Sequence, residues 1–155
     1  MKLDRIDRQL LSLLQEDASL SNADLAEKVS LSPNACWRRI KLMEEGGIIR
    51  KRVALLSEEK IGLGVTVFVS IRTSNHTEDW LKKFGQGVRD MPEVVEFYRL
   101  SGETDYLLKV VVRDIQDYDR VYKKLIAIAP LNDVSSSFAM ERIKSSTALP
   151  LNNLR

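Results

Sequence analysis

The residues best equipped for recognition chemistry are Asn34, Trp37, Arg38, Arg39 and Lys41, all within eight positions of one another. At 100° per residue, Asn34, Arg38 and Lys41 share one side of a helix, with Trp37 and Arg39 on its two flanks. A guanidinium pairs with guanine in a major groove, an amide with adenine, and an ammonium with phosphate. A solvated helix face can carry the same residue types. Here, however, the positive charge is local: Arg38, Arg39, Lys41, Arg50, Lys51 and Arg52 stand against only Glu44 and Glu45 between Pro33 and Arg52. Trp37 either touches sugar, phosphate or a thymine methyl, or covers the first helix; the sequence leaves both open. A second polar group, Ser101-Gly102-Glu103-Thr104-Asp105, falls between two apolar runs, where acidic residues are common for local turn reasons alone.

The first group needs a helix that buries its other side. Cys36, Ile40 and Met43 recur at i, i+4 and i+7 and supply that buried face. Ser32 caps the helix and Pro33 takes its first position, where a missing N–H costs nothing. Gly46-Gly47 stops it, because glycine enters the left-handed conformation at low cost. Before it, Ser21 caps a short helix, Asp24 favours its positive end, and Leu25, Ala26 and Val29 form its apolar stripe. Two helices joined by the tight Ser30-Leu31-Ser32 break have helix-turn-helix spacing. Residues 4–16 form a first helix, with Ile6, Leu10, Leu13 and Leu14 as its stripe. Residues 48–56 read as a strand and 57–64 as a linker. The expected division is 1–50 for helix-turn-helix, 51–64 for connection, and 65–155 for a second domain.

That second domain is built differently. Val65, Val67, Val69 and Ile71 alternate along a strand, and Thr77 caps a helix reaching Arg89. Residues 94–100 and 105–112 form a hairpin around Gly102, residues 115–128 a helix, and residues 134–140 a last strand. The order β-α-β-β-α-β is the ferredoxin-like arrangement, an antiparallel sheet with both helices on one face. The other face also carries apolar residues, with Phe68, Leu107 and Val111 among them. A monomer is not expected to leave such a face in water, so it should pack on a second copy. A two-fold dimer sets two recognition helices about one DNA turn apart and calls for a roughly palindromic operator.

Composition narrows the remaining classes. The chain has 155 residues, 44% hydrophobic and 30% charged, with a net charge of +2, so only the local cluster argues for an anionic partner. Before Leu56 there are ten Lys/Arg against eight Asp/Glu, and after it fourteen against fourteen. Cys36 is the single cysteine, which excludes an internal disulfide and a cysteine-rich zinc site and fits a reducing cytoplasm. No signal peptide is expected from the charged opening Met1–Asp7, and no apolar run in the sequence reaches membrane length. His76 stands alone in a polar loop with no companion ligand or base. No Ser-His-Asp set, P-loop, GxGxxG or metal-spaced cluster occurs, so no catalytic residue, metal or cofactor is expected.

Residues 3–49, with their Leu-Asp-x-Ile-Asp opening, Leu31-Ser32-Pro33, Cys36, Arg39 and Gly47-Ile48-Ile49, resemble the helix-turn-helix half of the Lrp/AsnC (feast/famine) transcriptional regulators. Residues 101–108, SGETDYLL, look like the Gly-x-x-Asp-Tyr hallmark of that family's sensing domain. The likeness covers nearly the whole chain in order and spacing. It implies an α+β protein: a winged-helix-like helix-turn-helix domain, then a ferredoxin-like (RAM/ACT-like) sensing and oligomerisation domain. It also implies dimers assembling to tetramers or octamers, double-stranded DNA as partner, and a small amino-acid effector. DNA contacts are expected from Ser32, Asn34, Trp37, Arg38, Arg39 and Lys41. Carried over by position, Ser101, Gly102, Thr104 and Asp105 belong to the effector loop, with Ser135 and Ser137 near the same pocket. In that role Asp105 receives an α-ammonium group, and the backbone N–H groups by Gly102 receive a carboxylate. Residues 53–64 (VALL…EKIGLG), 91–100 and 133–150 look most similar to the subgroup that senses L-cysteine, and Trp37 fits that subgroup better than leucine-responsive members. A competing reading is an architectural protein that coats DNA with little sequence preference; footprinting separates the two. A ferredoxin-like enzyme is disfavoured by the missing acid/base set.

Overall fold

The structure is a computed structural model and describes residues 2–152. The chain divides into two compact units, one of Met1–Leu55 with the segment from Lys144, the other of Leu56–Ile143.

In the first unit three helices, α1 (Arg5–Glu16), α2 (Asn22–Lys28) and α3 (Pro33–Glu45), pack around Leu10, Leu25, Ala26, Cys36, Ile40 and Met43. Each start is fixed locally. Asp4 and Ser21 form capping boxes with Asp7 and Asp24, and Ser32 accepts from the Ala35 N–H while Pro33 opens α3. The α2–α3 turn is closed by Ser30, whose φ of 56° lies in the left-handed region, and by the Leu31 N–H donating to the Ala26 carbonyl at 2.9 Å. Gly47, at φ 70°, ends α3 as its sequence requires. The strand expected at 48–56 does not form. A strand is stable only against a partner that takes its N–H and C=O groups. Here the Ile48 and Ile49 N–H groups turn back to the Met43 carbonyl, and Val53, Leu55 and Leu56 are well exposed.

The second unit follows the order β1 (Val65–Arg72), α4 (Glu78–Arg89), β2 (Val94–Arg99), β3 (Tyr106–Val112), α5 (Ile115–Ile128) and β4 (Asp133–Phe138). All pairings are antiparallel and the sheet order is β2-β3-β1-β4, so the ferredoxin-like topology is present. Alternation decides the faces. Val67, Val69, Ile71, Leu108, Val110 and Val112 lie under α4 and α5 with Phe84, Val88, Val121 and Leu125. Their neighbours Phe68, Ser70, Leu107, Lys109, Ser135 and Ser137 lie on the opposite face. The two helices meet at Gly87, where a Cβ would sit 2.6 Å from Ile128 Cγ2.

Candidate nucleic-acid interface and effector loop

The first site is one side of α3. Cys36 and Met43 are fully buried and Ile40 nearly so, which turns Asn34, Arg38 and Lys41 outward. Burial pushes the Cys36 thiol up, so it packs as a protonated side chain and not as a nucleophile. Ser32 is exposed and serves as the N-cap. Trp37 is 51% exposed, and the Lys41 ammonium sits 4.8 Å from its ring centroid. With Asn22, Leu25, Ile40 and Arg52 these two side chains line a groove of about 380 Å³. Trp37 therefore presents an apolar face beside a cation at the surface.

Arg39 is placed otherwise than its flanking position on the wheel implied. Its Nη1 donates to Asp4 Oδ2 at 2.7 Å and to Asp7 Oδ1 at 2.8 Å. The remaining oxygens of those carboxylates serve the capping box: Asp7 N–H donates to Asp4 Oδ1, and Asp4 N–H to Asp7 Oδ2. One guanidinium thus pins the middle of α3 to the first turn of α1, and Asp7 is almost wholly buried beneath it. The Asp7 backbone N–H and the Arg39 guanidinium hold the Asp4 carboxyl below the usual carboxylate range, and the two carboxylates raise Arg39. Asn22 adds a second tie, its Nδ2 donating to the Pro33 carbonyl at 2.7 Å. Sequence reasoning missed both ties. The available signal was an Asp-x-x-Asp cap before an arginine with no acid one turn away.

The second site is the loop joining β2 and β3. Ser101, Gly102 and Glu103 are exposed, and Gly102 takes φ 122°, which side chains rarely adopt. Thr104 is half-buried, and Asp105 lies against the end of β1. Its N–H donates to the Ile71 carbonyl at 3.0 Å, and its Oδ2 accepts from the Thr73 N–H at 2.8 Å. One carboxylate oxygen therefore orders the β1–α4 loop. Among the described residues Oδ1 has no donor. Ser135 pairs with Ser70 and Ser137 with Phe68, so both face away from the helices. Ser135 flanks the same end of β1 as Asp105, whereas Ser137 lies two residues further from the loop. Ser136 points the other way and bonds the Tyr118 hydroxyl. Thr73, buried and bonded to Asp105, was not anticipated from sequence.

Two family models match. Residues 3–50 fit the winged helix-turn-helix DNA-binding model and residues 66–149 the Lrp/AsnC ligand-binding domain. The chain is 57% identical to a glutamate uptake regulatory protein of Zymomonas mobilis, covering 97% of this chain and 92% of that one. It is 52% identical to the DNA-binding transcriptional activator DecR of Escherichia coli, over 96% and 99% of the two chains. A transcriptional regulator of Neisseria meningitidis, solved as a complex with L-methionine, superposes with a TM-score of 0.93 at 39% identity, covering 97% of this chain and 98% of that one.

Proposed function

This chain belongs to the Lrp/AsnC family of DNA-binding transcriptional regulators, and from that premise we propose how it reads DNA and what it senses. The outward side of α3 enters the major groove. Arg38 and Asn34 address base edges, Lys41 and Ser32 address phosphate, and Trp37 offers its exposed ring to sugar or a thymine methyl. Arg39 contributes by holding α3 at a fixed angle to α1, with its Nη1 engaged by Asp4 and Asp7. The observation that carries this reading is the segregation on α3: Cys36, Ile40 and Met43 buried, Asn34, Arg38 and Lys41 exposed. Two copies, joined through the sheet face that bears Phe68 and Leu107, present two such helices to a palindromic site, and dimers assemble further. If a dimer neutralises about eight phosphates, log K falls with log[salt] at a slope of about −7. A flat salt response contradicts the reading.

The effector is a small amino acid held at the loop of Ser101, Gly102, Thr104 and Asp105. The Asp105 carboxylate receives the ammonium group, N–H groups by Gly102 receive the carboxylate, and Ser135 and Ser137 line the neighbouring strand. One relative is named for glutamate uptake and one solved relative holds L-methionine, while the sequence likeness points to L-cysteine. Calorimetry with all twenty amino acids, on wild type and Asp105→Ala, separates these. Heat from at least one amino acid in wild type, lost in Asp105→Ala, supports sensing; silence from all twenty refutes it. The regulator acts in the cytoplasm on this reading, and no described helix is long and apolar enough to cross a membrane.

A further inference from the structure

Residues 144–152 belong to the first unit although the whole second unit separates them from it in sequence. Their attachment is specific. The Gln15 side chain brackets the backbone of Leu149, its Nε2 donating to the Leu149 carbonyl at 3.2 Å and its Oε1 accepting the Leu149 N–H at 2.6 Å. A carboxamide offers one donor and one acceptor side by side, the pair that a neighbouring strand would offer to an extended peptide. Two residues on, past Pro150, Leu151 packs against the three-helix core. The chain therefore passes between the units twice, at Leu55–Leu56 and at Ile143–Lys144.

Inside the second unit, the segments next to the two crossings run side by side. Residues 57–64 lead into the start of β1, and residues 139–143 lead out of the end of β4. Those two strands are paired there, Val67 opposite Phe138, and the Ala139 N–H donates to the Thr66 carbonyl at 2.9 Å. Beyond the strands, the Arg142 guanidinium meets the Glu58 carboxylate at 2.5 Å.

We propose that residues 144–152 clasp α1 through Gln15 and Leu151, so that the DNA-binding unit is held to the effector unit by a stapled pair of chain segments in place of a single linker. One linker lets a domain sample many orientations. A second, whose exit from the effector unit is held beside the first by Glu58–Arg142 within that unit, restricts them and raises the effective concentration of one recognition helix at the second half-site once the other is bound.

The proposal rests on the DNA-reading function given above, and two measurements on the full-length protein keep the two apart. The first is hydrogen exchange at the Leu149 amide, which needs no DNA. Strong protection in wild type, lost in Gln15→Ala with helix content unchanged, supports the clasp; exchange at the rate of a free peptide in wild type overturns it. The second compares wild type, Gln15→Ala, Glu58→Ala and a chain stopped after Ile143 on three duplexes: one half-site, two half-sites in natural spacing, and two with about five base pairs inserted, half a helical turn. Wild type should lose about tenfold or more on insertion, and the variants much less, with half-site affinity unchanged in Gln15→Ala and Glu58→Ala. Equal sensitivity to insertion in all four proteins overturns the tether. Failure of wild type to bind any of the three duplexes refutes the DNA reading, while the exchange result still decides whether the clasp exists.

Discussion

Each unit buries an aspartate at the third position of a helix, and each gives it arginine partners. In the first unit Asp7 meets Arg39, 32 residues away on another helix. In the second, Asp117 meets Arg113 and Arg120, one turn before it and one turn after it in its own segment. The same local device, a carboxylate completing a helix start, therefore does two jobs. Asp117 stabilises only the beginning of α5. Asp7 completes the beginning of α1 and fixes how α3 lies on it, and α3 carries the side chains proposed to read DNA. The second unit has no need of such a clamp, because a paired sheet and two packed helices already set its geometry. A three-helix unit buries less, so one ion-paired tie decides more.

Removing the two carboxylates tests that contrast, and the larger effect should come from Asp7→Ala. It takes away a backbone acceptor and leaves a guanidinium about one third exposed with Asp4 alone. We expect the first unit to lose about 2–3 kcal/mol of stability, read by urea unfolding followed through Trp37 fluorescence. A change in the second unit's transition, or none in the first, would break the contrast.

Asp117→Asn should have a smaller effect, confined to the second unit and visible mainly in acid. The Arg120 and Arg113 guanidinium groups, with the Arg113 N–H, hold the Asp117 carboxyl down to about 2. That lies below its value of about 3.9 in an unfolded chain. The group binds protons more readily unfolded, so its stabilisation is fully present above about pH 4 and is lost as pH falls toward 2. The variant should show a flatter loss of stability than wild type between those limits. An identical acid limb would remove Asp117 from this role.

The same contrast explains what the sequence made legible. Ser21, Ser32 and Pro33 announce helix starts because a cap is satisfied within three residues, and α5 runs from Ile115 to Ile128 as its stripe required. The βαββαβ order follows from alternation, which is also local. What stayed hidden depends on partners far along the chain. A helical wheel puts Arg39 on a flank but cannot say that Asp4 and Asp7 face it. Residues 48–56 have strand-like composition, but the described chain supplies no strand to pair with them. Residues 144–152 carry no periodicity, so nothing in them points to Gln15. Family resemblance points to Asp105 as an effector residue, but its bond to Thr73 arises from the closeness of β1 and β3, which only the folded sheet provides.

The measurement closest to the central claim is the affinity of wild type, Arg38→Ala and Lys41→Ala for a specific duplex and for random-sequence DNA of the same length. With Arg38 reading a base, its loss should cost about 1–3 kcal/mol on the specific duplex and little on random DNA, while Lys41→Ala should weaken both alike. Equal losses on both duplexes for Arg38→Ala would mean that the exposed side of α3 supplies charge without reading sequence.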